Sequence, residues 1–198
     1  MTKGLRFVEN ISSLSKSEFE TLTKDLNSPF INYDFLSSLE LSKCVTSLTG
    51  WQPNHLISNE SNKLNGFMPL YLKDNSQGEF VFDHSWSYAL NRAGRKYYPK
   101  LLSAIPFTPC ETEKIIGNKF NNLFIKEVVE FMNLNKIETW HILFPDKNLK
   151  DDLDKNNFIE RNGYKFVWKN KGYDTFEDYL NIFKSRQRKN IRTERRKI

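Results

Sequence analysis

The usual chemical signposts are scarce in this chain. It has two cysteines, Cys44 and Cys110, with no CxxC pair and no histidine cluster beside either, which argues against a disulfide framework and against thiolate metal spacing. No GxSxG, GxGxxG, GxxxxGK[ST] or HExxH occurs among its residues, so the hydrolase, dinucleotide, P-loop and zinc-protease readings lose their sequence support. No apolar run approaches the ~18 residues of a transmembrane helix. The start, MTKGLRFVEN, has no apolar stretch of signal-peptide length. The expectation is a cytoplasmic protein with reduced thiols, no transmembrane segment and no metal.

What is present is a folding chain. Of 198 residues, 38% are hydrophobic and 16 are phenylalanine, enough apolar surface to exclude a disordered protein. The length fits one large domain, or one domain and part of another. The net charge of +6 is local. Residues 184–198 hold eight basic side chains against Glu194 alone, leaving 22 basic and 23 acidic residues in the first 183. The body is near neutral and the basicity belongs to the C-terminal segment, so whole-chain charge does not indicate nucleic-acid binding.

Periodicity then gives an order of elements. Residues 4–11 read as a strand. Ser15 and Glu18 are spaced as a capping box, Leu14 and Phe19 as a hydrophobic staple, and Phe19, Leu22 and Leu26 carry a helix over 15–27. A second helix presents Phe35, Leu36 and Leu39. Residues 54–58, 66–72 and 79–82 read as a three-stranded meander, 86–97 as a helix and 100–105 (KLLSAI) as a buried strand. Phe120, Leu123, Phe124, Val128 and Phe131 trace a helix over 119–134, followed by a strand in ETWHILFP. A short charged helix, an Asn162-Gly163 turn before a strand at 164–169, and a last helix opened by the Thr175 and Asp178 pair complete the list. That last helix shows no C-cap signal before Ile198, which suggests a fragment.

Four stretches carry a resemblance: SPFINYDFLSSLE with TGWQPNHL, GFMPLYLKDNSQGEFVFDHSWSYAL, GRKYYPKLLSAIPFTP, and FVWKNKGYDTFEDYLNIFKSRQRKNIRTERR. They resemble the predicted N-acyltransferases of the bacterial peptidoglycan biosynthesis/recognition group, Fem-like members of the GNAT superfamily. The resemblance implies an α/β (α+β) GNAT-like fold, with a mixed, largely antiparallel sheet flanked by helices, and the element order above is that of such a domain. It implies a first GNAT-like domain at 1–160 and, at 161–198, the first strand and basic helix of a second, the rest being absent or supplied by a partner chain. It further implies transfer of an acyl or aminoacyl group to an amine, as on a cell-wall precursor, from acyl-CoA or aminoacyl-tRNA. The turn PCETEKIIGN has two acids and one late glycine where a pyrophosphate loop would aim backbone N–H groups, so coenzyme A binding by this half is unsupported.

Candidate sites follow from residue chemistry. Pro99, Pro106 and Pro109 bound the strand KLLSAI, because proline cannot donate to a ladder. Arg95, Tyr97, Tyr98, Lys100, Phe107 and Thr108, with Trp86, would wall a groove for an amphipathic substrate; the alternative is a rigid loop pair packed on the core. Asp83 closes an apolar strand, either as the base or relay that deprotonates an attacking amine or as the cap of the next helix. His141, inside TWHILF, reads as a satisfied structural histidine. Arg186, Arg188, Lys189 and Arg192 would contact a polyanion such as tRNA, or meet acids elsewhere. The rival to an enzyme is a non-catalytic module that uses this basic helix for RNA or acidic head groups.

Overall fold

Ser61 and Asn62 both adopt left-handed backbone angles, φ 49° and 63°, and this two-residue turn closes the hairpin on which the fold is built. The computed structural model describes residues 4–117, 121–164 and 166–197. The chain divides into two compact units, residues 1–159 and 160–198.

In the first unit, β3 (His55–Glu60) and β4 (Lys63–Met68) flank that turn, with a register shift between Ser58 and Asn59, and β1 (Leu5–Val8) pairs antiparallel on the far side of β3. Pro69 then ends the first ladder. Beyond it, β5 (Tyr71–Lys73) joins a second sheet ordered β2-β5-β6-β7, where β2 is Gln52–Pro53, β6 Lys100–Ser103 and β7 Trp140–Ile142. The expected strand at 66–72 is therefore two strands in two sheets, because proline breaks the run of donors. His55 fastens this division. Its Nδ1 accepts from the Leu70 N–H at 3.3 Å, and its Nε2 donates to Glu40 at 2.9 Å.

Alternation along the strands decides which face each helix covers. Ile57 and Phe67 pack with Phe19 and Leu36, beneath α1 (Lys16–Thr23) and α2 (Tyr33–Leu41). Their neighbours Leu56 and Met68 point the other way, with Leu101, to meet Phe124, Val128, Leu149 and Leu153 of α4 (Asn121–Asn135) and α5 (Lys147–Lys155). The expected helix start at 119–120 lies outside the described residues. Ser15 caps α1 by accepting from the Glu18 N–H, while the Glu18 carboxylate accepts from the Leu64 N–H, tying the helix to β4 instead of completing a capping box.

β5 and β6 run antiparallel, whereas β6 and β7 are parallel, joined through α4. A sheet that changes sense across one strand, beside an antiparallel sheet and packed on helices, is a mixed α+β architecture.

The third strand of the expected meander, residues 79–82, does not form. Glu79 and Asp83 turn inward, and Phe80 takes a left-handed φ of 58°, which destroys the extended alternation and leaves Phe80 and Phe82 exposed, Phe82 by 77%. The next helix is α3 (His84–Arg92), shorter than the 86–97 expected. Gly94, at φ 72°, ends it: the Gly94 N–H donates to Asn91 O and the Arg95 N–H to Leu90 O, the paired bonds of a Schellman cap.

The second unit holds α6 (Phe176–Asn181) and α7 (Ser185–Arg195). Thr175 and Asp178 form the expected capping box, but the single expected helix is broken at Lys184, whose extended backbone begins α7 with its N–H donated to Gln187. The described residues of 164–169 form no strand, and Lys165 lies outside them. Among the described residues of this unit no neighbouring strand offers a ladder, and Tyr164, Phe166 and Trp168 are exposed.

Candidate active site

Lys73 ends β5 and Lys100 begins β6, and the antiparallel register sets them opposite each other. Both have 0% exposure. A lone buried ammonium is untenable, so the chain between the two strands must supply anions. It does: residues 74–83 fold over the pair and lower Ser76, Glu79 and Asp83 onto it.

Lys100 Nζ uses all three of its protons, on Asp83 Oδ2 at 2.5 Å, Glu79 Oε2 at 2.8 Å and Ser76 Oγ at 2.8 Å. Lys73 Nζ is less well served. It donates to the Gln77 carbonyl at 3.2 Å, lies 4.0 Å from Glu79 Oε1 and sits 3.8 Å above the Trp51 ring. Burial, only partly offset by Glu79, brings the Lys73 pKa down to about 8. Burial also raises Glu79, against the pull of Lys100 and Lys73.

Asp83 is the hub. It occupies the N-cap position of α3, yet its side chain makes no cap bond; it points inward at 1% exposure. Burial would raise its pKa, but hydrogen bonds from Lys100, Tyr97 and Ser76 outweigh that and pull it down to about 2. It is therefore an anion at neutral pH, suited to orienting and stabilising its donors more than to accepting a proton itself. Its Oδ1 has no hydrogen-bond partner among the described residues.

The network leads outward. The Tyr97 hydroxyl donates to Asp83 Oδ2 at 2.6 Å and lies 3.0 Å from His141 Nε2 on β7. Tyr98 meets Ser76 Oγ at 2.7 Å. Thus Ser76, Glu79, Asp83, Tyr97, Tyr98, Lys100 and His141 form one connected polar cluster at the strand where the sheet changes from antiparallel to parallel.

The expected groove residues divide. Tyr97 and Lys100 are interior, at 1% and 0% exposure, so they do not wall a groove. Phe107, at φ 57°, is partly exposed, packing on Gly78 and 5.3 Å from the Trp51 ring. Thr108 bonds the Pro106 carbonyl, and Arg95 is paired with Glu138 on the surface. Trp86 is exposed on α3. Pro99 lines a cleft of about 100 Å³ with Ser47, Gly50, Gln52, Leu72, Lys73 and Asp74. Among the described residues no cluster of His, Cys, Asp and Glu is arranged to hold a metal, and no helix is long and apolar enough to cross a membrane.

On α7, Arg186 and Lys189 are exposed, Arg192 is paired with Glu177, and Arg188 donates to the Phe183 carbonyl and Ser185.

Sequence reasoning missed Lys73, Ser76 and Glu79, while His141, hydrogen-bonded to Tyr97, is the satisfied histidine expected. The available signal was a lysine at the end of one apolar strand and another at the start of the next, with acids in the intervening loop. Such a pattern calls for pairing once both strands are buried.

The FemAB-like family, described as peptidoglycan biosynthesis/recognition, matches residues 10–198. This chain belongs to that family. No curated protein and no solved structure matched it. The polar cluster thus lies inside the matched region of a FemAB-like protein.

Proposed function

We propose that this FemAB-like protein is an N-acyltransferase of GNAT-like α/β fold that moves an aminoacyl group onto an amine of a peptidoglycan precursor. The observation that carries the reading is the sheet order: an antiparallel series through β5 and β6, then a parallel β6-α4-β7 crossover, with the charged cluster beside that change of sense. The order resembles that expected of an acyl-transfer domain, which supports the reading, and family membership supplies the cell-wall context. Residues 1–160 are the first such domain; 161–198 begin a second.

The donor is better read as aminoacyl-tRNA than as acyl-CoA. In the turn after β6, the Thr112 N–H goes to Phe144 O and the Ile116 N–H to Phe67 O, so these donors serve the fold and not a pyrophosphate. Lys114 Nζ in the same turn is consumed by the Thr112 and Phe144 carbonyls. Arg186 and Lys189 on α7 suit tRNA phosphates. Catalysis comes mainly from holding the amine against the activated acyl carbon.

The test offers the purified chain aminoacyl-tRNA and acetyl-CoA in parallel, with a soluble muropeptide precursor bearing a free amine, and reads the product mass. An aminoacyl increment from the tRNA donor is expected. A chain that transfers from neither donor yet binds tRNA with steep salt dependence overturns the enzyme reading in favour of a polyanion-binding module.

A further inference from the structure

We propose that the first unit binds a primary ammonium group in a second cleft, with the buried carboxylate of Glu40 as its counter-ion. This cleft has a volume of about 360 Å³, large enough for a small ligand. Glu9, Ser47 and Gln52 form its exposed rim, and Glu40, Val45 and Pro53 lie deeper. No lysine or arginine lines it. Ser47 and Gln52 also line the smaller cleft beside Pro99, so the two lie side by side and leave room for the body of a ligand.

Glu40 stands where a carboxylate is costly. It occupies the last turn of α2, at the negative end of the helix dipole, and no basic residue shares that turn. Its side chain is only 10% exposed. Its two hydrogen bonds come from neutral donors: the Ile11 N–H reaches Oε2 at 2.8 Å, and His55 Nε2 donates to Oε1 at 2.9 Å. His55 is a neutral imidazole, because its Nδ1 keeps a lone pair to accept from the Leu70 N–H. These bonds fix the direction of the carboxylate without cancelling its charge. That charge is felt behind the imidazole. Tyr71, whose ring meets His55 edge-on at 5.2 Å, is raised in pKa first by burial and further by Glu40. Among the described residues Glu40 has no lysine or arginine partner, and a buried anion without a counter-charge calls for a cation.

Chemistry selects which cation. A hard metal ion needs a shell of oxygen ligands, and among the described residues no group of acids and histidines is arranged to hold one. An ammonium needs a carboxylate, further polar acceptors and an apolar surface for the carbon that carries it. Glu40 supplies the first, Glu9 and Gln52 the second, and Val45 and Pro53 the third. A nitrogen paired to a carboxylate holds its proton, so this is an anchoring site and not the place of an attacking amine. The ligand class is a primary amine with polar neighbours, carried by an amino sugar or by a lysine-like side chain. The assignment stands apart from the acyl-transfer reading, and its test uses no donor.

Titration of the full chain, followed in ¹H–¹⁵N spectra, uses two probes: glucosamine and Nα-acetyl-lysine amide, each compared with the form acetylated on its free amine. The amides of Ile11 and Val45 are expected to shift, with dissociation constants of about 1 mM for ligands of this size. The tighter amine identifies the source, and acetylation should weaken binding about tenfold or more. Glu9→Gln, on the exposed rim, should weaken it about two- to threefold. Glu40→Gln should abolish it. Gln52→Lys makes the same point without touching Glu40: its own ammonium reaches into the cleft and should displace both amines while the fold stays intact, which decides the matter even where Glu40→Gln fails to fold. Equal shifts from the free and acetylated forms, no shift from either amine, or amine binding that survives Gln52→Lys overturns the proposal. Calcium that moves these amides when the amines do not also overturns it, making the cleft a metal site.

Discussion

Lys73 and Lys100 face each other across the β5–β6 ladder with no solvent exposure, and Glu79 offers one carboxylate oxygen to each, at 4.0 Å and 2.8 Å. Two cations on adjacent strands repel and have lost their hydration. The loop over them exists in this shape because Glu79, Asp83 and Ser76 must reach them.

Breaking that cluster on one side is therefore costly. Asp83→Asn leaves Lys100 short of a counter-charge in the interior, and the expected loss is about 3–5 kcal/mol, measured by urea denaturation. Asp83→Leu combined with Lys100→Met should recover part of it. A double variant as unstable as the sum of the singles contradicts the pairing.

Acid sensitivity follows from the same residue. The Asp83 pKa is depressed in the fold to about 2 from 3.8, so its contribution is complete above pH 3.8 and is lost as pH falls toward 2. The Tyr97→Phe variant, which removes one of the bonds holding the anion, should begin to unfold at higher pH than wild type in an acid titration followed by circular dichroism.

At alkaline pH the buried lysines at first act in the same direction. Burial lowers Lys114 from 10.5 to about 8 and Lys73 likewise, so between pH 8 and about 10 the unfolded chain binds more protons and stability rises with pH. Above pH 10 the trend turns, because Tyr71 and Tyr97 are raised by burial and hold their protons in the fold while the unfolded chain releases them. Thermal midpoints across this range should show the rise in wild type and a flatter profile in Lys114→Met.

Two glycines separate backbone strain from steric contact. At Gly94, φ 72° with open space around it, alanine should cost about 1 kcal/mol from the left-handed backbone alone. At Gly78, φ 76°, an added Cβ would lie 2.5 Å from the Phe107 ring, so Gly78→Ala should cost more and disturb the loop over the lysines. Equal costs in denaturation would contradict the contact.

The legibility of the molecule in its sequence tracks how local each signal is. The Ser15 and Thr175 caps, the apolar faces of α1, α2 and α4, and the first four residues of KLLSAI as a strand are written in spacings of a few residues, and they form. The strand at 79–82 was misread because its alternation matched a ladder, while Glu79 and Asp83 answer to lysines on other strands. His141 was legible as a satisfied histidine inside an apolar strand, but its partner Tyr97 depends on the parallel pairing of β6 with β7, which no short window contains. Asp83 was found for its polarity at the end of an apolar run; its low pKa, set by three donors from three places in the chain, could not be.

Acyl transfer by the purified chain is the central claim, and a single comparison tests it most directly. Wild type is incubated with an amine-bearing muropeptide precursor and either aminoacyl-tRNA or acetyl-CoA, and product is counted by mass spectrometry. The account predicts an aminoacyl-extended product from aminoacyl-tRNA and no acetylated product from acetyl-CoA. Product from acetyl-CoA alone, or from neither donor, contradicts it.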